Sequence, residues 1–575
     1  MKQKLLSLAM LLVMLSCKKE KVDHEQDNRA VTDAHKNSGV RLVNVGGYQQ
    51  VIINNDTLTN YKIIPPDPQY NQYEYPATKY FTLDGRLGRT WYVPATFIKR
   101  DGTALIKTEN VSQQSFHRQL EFSILEEYNK PMDYYLLRGT DEPNIIDAPP
   151  SLMAIPRDVT APSRPDHFKI RVVNMAAKVS TQFQDVEDVA FPLTLAWADG
   201  TAVSSATSAI APGTWSEYIE LPYGAYQFKL LTPAGIQVTG YGGSRTEGVE
   251  LVDPATSTLV KGATGRPHTV SINLTYAPIR TYQPGGIYTI VVSPQLFPTP
   301  YYNGNPGEEV SMDQNGFQVI SDISEPLNST YTRVQGVNAL PGTGTVSITA
   351  NGKVLGGPLN YATAGGYERL IAENVRFRAQ DASGTLLAEK EVPLIAGQNY
   401  TTWLYRDGSG KAVLSVVANN LSGTIQYPGA DGQDGAYANG SRSYPFDIRF
   451  LNFCAEIPYA TFTLNNGQSF YSGISENIQS GVIPVMGHPY VAIQQSSAAY
   501  QVMLYQSAPG IVPGKWLSDI PVVKSTDLIA RKELYVRGPL PEHEPGIYTI
   551  ALIGRYGAAV PAEQKAKMII VKHIK

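Results

Sequence analysis

Two short motifs recur along the chain in a fixed order, and this repetition restricts the fold more than any other feature. The first motif consists of an apolar residue, an arginine, two apolar residues and an asparagine. It stands at residues 40–44, 170–174 and 448–452, and a related stretch at 332–338 carries two extra residues, Gln335 and Gly336. Each stretch is a short run of strand-forming residues that ends in a turn-forming asparagine. We therefore predict four opening β-strands.

The second motif is a glycine turn that leads into a strand containing Tyr-Thr. It occurs at residues 284–292, 396–404 and 545–552, with a weaker copy at 130–137. Its residues alternate in character, so the tyrosine lies on one face of the predicted strand. Further strands are predicted at 317–323, 412–418 and 568–571, and a glycine-aromatic element appears at 221–230 and 485–493. The two motifs thus predict four copies of one β-unit.

The composition agrees with an all-β fold. The 575 residues include 35 tyrosines, which favour strands, and 49 glycines and 40 prolines, which mark turns. Short strands separated by turns at this spacing predict immunoglobulin-like or transthyretin-like β-sandwich domains arranged in series. The net charge of −3 offers no basic excess, so nucleic acid is not an expected partner.

The two-motif unit resembles the domain of unknown function 4397 family, which occurs in bacterial exported proteins and in Bacteroidetes lipoproteins. The resemblance is best over residues 171–323 and 333–418, fair over 449–571 and weak over 41–137. It implies a β-sandwich in each repeat. It brings no settled activity and no catalytic residues to this chain.

The N-terminus predicts export and lipid attachment. A positive start and an apolar run at residues 5–15 form a secretory signal that is too short to span a bilayer. Leu-Ser-Cys, ending at Cys17, resembles the lipobox of bacterial lipoproteins, although Met14 departs from its commonest form. The resemblance implies that Cys17 is acylated, for example with palmitate, and becomes the mature N-terminus. A cleaved secretory signal with a chance cysteine is the alternative.

Location follows from the anchor. Residues 18–36 are polar and charged and predict a flexible tether. Charged residues directly after the lipid cysteine also resemble surface-export signals, so we expect an outer-membrane protein that faces the cell exterior. A protein that faces the periplasm is the alternative.

The domain organisation follows from the repeats and the linkers between them. Proline-rich and glycine-rich linkers separate the units, and proline-rich linkers are semi-rigid. We therefore expect separate modules that are held apart by semi-rigid linkers. The predicted parts are a signal peptide (1–16), a tether (17–37), a divergent β-sandwich (38–158), two sandwich repeats (159–328 and 329–422), a glycine-rich linker (423–444) and a last sandwich repeat (445–575).

A search for catalytic chemistry finds no motif. None of the eight histidines lies in a zinc-binding pattern, and no nucleophile elbow or phosphate-binding loop is present. Cys454 lies in an apolar run and is predicted to be a buried, inert thiol. We expect no cofactor and no metal. A pair of carboxylates suited to glycoside hydrolysis remains open, because only the fold could bring such a pair together.

Aromatic residues are the predicted ligand-binding groups. Tyr301 and Tyr302 follow a proline-rich stretch in a predicted loop, and Trp91 and Tyr92 belong to a tyrosine-rich cluster in the first unit. Exposed aromatic rings with polar neighbours suit sugar rings and peptides. The alternative is that tyrosines on strands simply cover the sandwich. The arginine and asparagine of the first motif are interpreted as structural, with the asparagine bound to its own backbone and the arginine paired across the sheet.

These observations predict a non-enzymatic lipoprotein of the cell surface that serves in adhesion or in binding of glycan or protein. Its partners are then the membrane, reached through the N-terminal lipid, and a glycan or protein ligand. One alternative is a structural subunit of a surface appendage. Another is a polysaccharide hydrolase with accessory β-domains.

Overall fold

The protein is all-β, as predicted. The computed structural model describes residues 36–59, 80–81, 87–110, 118–139, 144–179, 188–240, 252–253, 258–259, 279–300, 309–419, 446–470, 473–484, 489–492, 500–530 and 546–575. Helices in these ranges are 3-10 turns of three or four residues, at Ala95–Phe97, Ser205–Thr207, Asn465–Gly467, Ser525–Leu528 and Ala562–Gln564. None of the described helices has the length and apolarity needed to cross a membrane.

Sandwich 1 is built from two four-stranded sheets. Its strands are β1 (Asn37–Asn44), β2 (Gln50–Ile53), β3 (Asp56–Thr57), β4 (Thr90–Pro94), β5 (Thr103–Asn110), β6 (Arg118–Leu125), β7 (Met132–Leu136) and β8 (Leu152–Pro156). The sheet orders are β4-β1-β7-β8 and β3-β2-β5-β6. The opening strand β1 therefore lies inside its sheet, with a hydrogen-bonded neighbour along each edge.

Sandwich 2 has one large sheet and several strand pairs. Its strands are β9 (His167–Asn174), β10 (Thr194–Ala196), β11 (Thr214–Trp215), β12 (Ile219–Pro222), β13 (Gly224–Tyr226), β14 (Lys229–Leu231), β15 (Thr239–Gly240), β16 (Val252–Asp253), β17 (Thr258–Leu259), β18 (Arg280–Tyr282), β19 (Ile287–Pro300) and β20 (Glu309–Ser321). The large sheet has the order β11-β9-β19-β20-β15, with β12 also paired to β9. The pairs β10–β14 and β13–β18 share one hydrophobic core with it.

Sandwiches 3 and 4 repeat the arrangement of sandwich 1. Sandwich 3 comprises β21 (Tyr331–Asn338), β22 (Val346–Ala350), β23 (Lys353–Val354), β24 (Thr363–Ala364), β25 (Glu368–Ile371), β26 (Asn374–Asp381), β27 (Leu386–Pro393), β28 (Asn399–Arg406) and β29 (Ala412–Ala418). Sandwich 4 comprises β30 (Phe446–Asn452), β31 (Tyr459–Thr463), β32 (Ile478–Gln479), β33 (Val491–Ala492), β34 (Gln501–Ala508), β35 (Ile511–Trp516), β36 (Val523–Lys524), β37 (Gly546–Ile553) and β38 (Lys567–Lys572). The sheet orders are β24-β21-β28-β29 and β23-β22-β26-β27 in sandwich 3, and β33-β30-β37-β38 and β32-β31-β34-β35 in sandwich 4.

The two sequence motifs form neighbouring parallel strands. β9 pairs in parallel with β19, β21 with β28, and β30 with β37. Parallel neighbours need a long crossover, and here the intervening chain includes the strands of the second sheet. The register places Arg171 opposite Thr289 and Gln335 opposite Thr401. Gln335 thus occupies the place of the motif arginine, and the reading of Gln335 and Gly336 as extra residues is wrong.

The glycine of the second motif makes room for its tyrosine. A Cβ at Gly286 would lie 2.6 Å from the ring of Tyr288, and a Cβ at Gly546 would lie 2.3 Å from the ring of Tyr548. Any larger residue would displace the ring. The spacing Gly-x-Tyr therefore reflects a ring folded back over its own strand.

Sandwiches 2, 3 and 4 pack against one another. The described residues divide into two compact units, of which one ends at Tyr135 and also contains Ala154–Pro156, and the other contains Leu136–Met153 and Arg157–Lys575. Within the second unit, Trp403 of sandwich 3 and Phe453 of sandwich 4 share a buried cluster, with ring centroids 5.0 Å apart. The prediction of separate modules held apart by semi-rigid linkers is therefore wrong for these three sandwiches.

Candidate functional site

A buried polar quartet recurs in sandwiches 2, 3 and 4. It joins the arginine position of the first motif, the threonine of the second motif, the residue directly after the closing strand, and a tyrosine beside the opening strand. The members are Arg171, Thr289, Asp322 and Tyr218 in sandwich 2, Gln335, Thr401, Asn419 and Tyr367 in sandwich 3, and Arg449, Thr549, His573 and Tyr490 in sandwich 4.

In sandwich 2 the quartet is a closed set of charge-assisted contacts. Arg171 Nε donates to Thr289 Oγ1 over 3.0 Å, and that hydroxyl donates to Asp322 Oδ2 over 2.6 Å. The hydroxyl of Tyr218 donates to the same carboxylate oxygen over 2.8 Å, while the Arg171 guanidinium lies 4.6 Å from the Tyr218 ring centroid. Burial, and then the Asp322 charge, raises the pKa of Tyr218, so this hydroxyl remains a donor.

The quartets of sandwiches 3 and 4 contact each other. The ring nitrogen Nδ1 of His573 lies 3.2 Å from Gln335 Nε2 and 3.0 Å from the Tyr367 hydroxyl. The Tyr490 hydroxyl donates to the backbone oxygen of Asn419 over 2.6 Å, and Arg449 Nη2 donates to the Asn419 side chain. These contacts connect two sandwiches through side chains that the sequence analysis assigned to separate modules.

The protonation of His573 follows from its neighbours. Burial, and then the Arg449 charge, holds the pKa of His573 well below its ordinary value, so the ring is neutral. Because the Gln335 amide nitrogen can only donate, Nδ1 accepts and the ring hydrogen lies on Nε2. Nε2 then donates to Thr549 Oγ1 over 2.7 Å, and His573 is completely buried. Its imidazole links sandwiches 3 and 4 and is not accessible to a substrate.

The same residue types have structural roles in sandwich 1 and at each strand end. Arg41 makes a two-point contact with Asp133, at 2.9 and 2.6 Å, and both side chains are buried. The amide of Asn174 donates to the backbone oxygens of Phe191 and Ile210 at 3.0 and 2.8 Å. Asn44, Asn338 and Asn452 likewise bind backbone groups near their own strand ends. The structural interpretation is confirmed for the asparagine of each motif copy and for Arg41, Arg171 and Arg449, whereas Gln335 takes the arginine's place in sandwich 3.

Cys454 is a buried thiol, as predicted. Its side chain is completely buried, and it forms no disulfide. Burial, and then the charge of Glu456, raises the pKa of this thiol to about 12, so almost no thiolate exists at neutral pH. Among the described residues, no cluster of three or more histidine, cysteine, aspartate or glutamate side chains could hold a metal ion.

The predicted ligand-binding residues divide between described and undescribed parts of the chain. Cys17, Tyr301 and Tyr302 lie outside the described residues. Trp91 and Tyr92 lie on β4, an edge strand, and adjacent residues of a strand point to opposite faces. The Trp91 ring lies 5.1 Å from that of Phe81, and Arg41 lies over the Tyr92 ring at 5.9 Å. The structure does not bring Trp91 and Tyr92 to one surface.

A different aromatic pair lies on the outside of sandwich 4. Tyr505 on β34 is directly opposite Trp516 on the edge strand β35. Val502 and Leu504 alternate with Tyr505 and point into the core, so the two rings share the outer face. Trp516 is 48% exposed. We call Tyr505 and Trp516 the aromatic platform.

The sequence analysis missed the aromatic platform because the hairpin between β34 and β35 was not recognised. The turn at Pro509-Gly510 and the alternation of Val502 and Leu504 were the available signals. No protein-family profile matches the chain, and no curated protein matches it.

Proposed function

We propose that this protein is a non-catalytic surface lipoprotein, anchored to the outer membrane through lipid on Cys17, that binds glycan or protein ligands in adhesion or capture. The observation that carries the binding role is the division of side chains in the sandwiches. Polar groups that could perform chemistry are buried in the quartets, whereas aromatic rings such as Trp516 lie on outer surfaces.

This division is physically suited to display of a binding surface. The side chains of each quartet form hydrogen bonds with residues of neighbouring strands, and these bonds make the sheets rigid. Rigid sheets hold exposed rings in fixed positions, and a preformed surface loses little entropy when a ligand binds. Resemblance to exported repeat lipoproteins supports the proposed location.

The anchor is tested by Cys17→Ala. We expect the variant to lose metabolic labelling with a fatty acid and to leave the membrane fraction, since two or three acyl chains give nearly irreversible attachment and their loss removes it. Unchanged labelling of the variant would contradict lipidation at Cys17. Protease treatment of intact cells tests exposure, with a periplasmic protein as the control.

Binding is tested with the soluble form, residues 30–575. We expect retention of this form on a glycan array or capture of a surface protein, and no release of new reducing ends from any bound polysaccharide. Release of reducing ends by the purified protein would show a hydrolase instead. Regular polymers under the electron microscope would favour a subunit of an appendage.

A further inference from the structure

A positive charge is buried without an acidic partner where sandwich 3 meets sandwich 2. Arg333 lies on β21 and is only 6% exposed. Across the residues that the structure describes, its guanidinium makes no hydrogen bond and no ion pair, and Nη1 is fully enclosed. A buried charge without a counter-charge is costly, so an anion beside Arg333 would stabilise the folded protein.

A second arginine stands directly opposite the first. β21 pairs with β25, and the register places Arg333 opposite Arg369. Arg369 Nε donates to Oδ2 of Asp166, the residue directly before β9, and the other carboxylate oxygen lies 2.7 Å from Nδ1 of His167. Like charges opposite each other on a sheet repel, and Asp166 compensates only one of the two guanidinium groups. One positive charge therefore remains at the junction of sandwiches 2 and 3.

The equivalent strand position in sandwich 2 is neutralised within the sandwich. There Lys169 takes the place of Arg333, since both stand two residues before the quartet position. Lys169 lies opposite Glu220 and forms an ion pair with Asp158 at 2.7 Å. The repeat architecture therefore does not require an unpaired cation at this position, and the pair of facing arginines belongs to sandwich 3.

Two tyrosine rings and a glycine surround the Arg333 guanidinium. Its Cζ lies 4.6 Å from the ring centroid of Tyr367 in sandwich 3 and 5.5 Å from that of Tyr226 in sandwich 2. A Cβ at Gly224 would be 2.3 Å from Nη1, so a larger residue there would displace the guanidinium. Cation–π contacts stabilise the positive charge, but they provide no acceptor for the N–H groups in the guanidinium plane.

A second polar side chain beside Arg333 is also buried without a partner. Asn399 on β28 stands opposite Arg333 in the parallel register, and it is 3% exposed. The next pair along these strands, Gln335 and Thr401, is joined by a hydrogen bond, so the side chains of this row lie on one face. The Asn399 amide makes no hydrogen bond with another described residue. Its N–H groups are thus additional donors for an anion bound to the guanidinium.

We propose that the junction of sandwiches 2 and 3 binds a small monovalent carboxylate, such as formate or acetate, against Arg333. The two oxygens of a carboxylate match the parallel N–H groups of a guanidinium, and charge-assisted hydrogen bonds of this kind are strong. One negative charge balances the one guanidinium that Asp166 leaves uncompensated. The ligand is small because little of Arg333 is open to solvent. The bound anion fastens sandwich 2 to sandwich 3.

The test is a titration of the soluble form, residues 30–575, with formate at constant ionic strength, followed by saturation-transfer NMR of the formate proton. We expect saturable binding. Arg333→Gln should weaken the dissociation constant about tenfold or more, and Arg333→Lys, which keeps the charge without the fork of N–H groups, should weaken it less. The matched control is Arg376→Gln, which changes a 57% exposed arginine of the same sandwich and should leave formate binding unchanged.

A second variant keeps the test decisive if Arg333→Gln does not fold. Gly224→Ala leaves every charge in place and displaces the guanidinium, so it should also weaken formate binding. Circular dichroism of each variant shows whether it is folded.

Three results would overturn the inference. Saturable binding that persists in Arg333→Gln would place the carboxylate elsewhere. The absence of saturable binding of formate and acetate to the unchanged protein would mean that water alone hydrates the guanidinium. Tighter binding of chloride than of either carboxylate, measured by competition, would show a halide site instead. The proposed adhesion function does not depend on this junction and stands in each case.

Discussion

Thr401 and Thr402 are neighbours on β28 and are both completely buried, yet their hydroxyls meet different surroundings. Thr401 Oγ1 accepts hydrogen bonds from Gln335 Nε2 and Asn419 Nδ2, each at 2.9 Å. The Thr402 hydroxyl has no hydrogen-bond partner among the described residues. Identical side chains therefore contribute to stability in opposite ways, because a buried polar group is favourable only when it is paired.

This contrast gives a matched pair of substitutions. Thr401→Val removes the shared acceptor of two buried amide N–H groups, those of Gln335 and Asn419, and should lower the free energy of unfolding by about 2–4 kcal/mol. Thr402→Val removes an unpaired hydroxyl and should change it by less than about 1 kcal/mol, or raise it. Urea denaturation of the soluble form measures both. Equal destabilisation by the two variants would refute the structural role of the quartet threonine.

Among the strand elements, the hairpin of β19 and β20 differs from its relatives. Its strands have 14 and 13 residues, whereas the corresponding β28 and β29 have 8 and 7. The added length carries Asp313, a buried carboxylate that pairs with Arg138 at 2.9 Å and accepts from Asn144 at 3.3 Å. The hairpin is thus held by the segment that follows β7.

Breaking this ion pair should be costly. Asp313→Ala removes the buried carboxylate that pairs with the guanidinium of Arg138 and should lower the free energy of unfolding by about 3–5 kcal/mol. The double variant Asp313→Leu with Arg138→Met removes both charges and should recover more than half of that loss. Thermal unfolding of the unchanged protein and the two variants measures both effects, and a double variant that is no more stable than Asp313→Ala would contradict the role of this ion pair.

Over the whole molecule, the joined quartets of sandwiches 3 and 4 predict a dependence of stability on pH. The folded-state pKa of His573 is lowered, so its stabilising effect is fully present above the ordinary value of 6.5 and is lost as the pH falls below it. Below pH 6.5 the unfolded chain takes up a proton that the folded protein cannot accommodate beside Arg449. The free energy of unfolding should fall by up to about 1.4 kcal/mol per pH unit from this group.

His573→Gln removes this contribution and supplies the control. Between pH 7 and pH 5 its stability should depend on pH less steeply than that of the unchanged protein, even though the variant is less stable overall. Urea denaturation at several pH values measures both slopes. Parallel slopes would mean that the imidazole titrates normally and is not enclosed between the sandwiches.

The strands and turns could be predicted from the sequence because they depend on neighbouring residues. The run of strand-forming residues after the second motif predicted β29, which covers residues 412–418 as predicted, and the motifs located the opening strands. The buried thiol of Cys454 was predictable for the same reason, since its surrounding run is apolar. The ligand-binding roles of Tyr301, Tyr302, Trp91 and Tyr92 stay predictions.

The tertiary structure decided how these strands pair and which sheets they pack against. The equivalence of Gln335 with the motif arginines depends on register, which is set by long-range pairing. The contact of Trp403 with Phe453 and the link through His573 depend on how whole sheets pack, and hydrophobic packing has no direction that a local pattern encodes. The sequence by itself determined an all-β repeat with a fixed strand order. Only the folded chain joined three sandwiches into one unit and placed Tyr505 opposite Trp516 on the outside of sandwich 4.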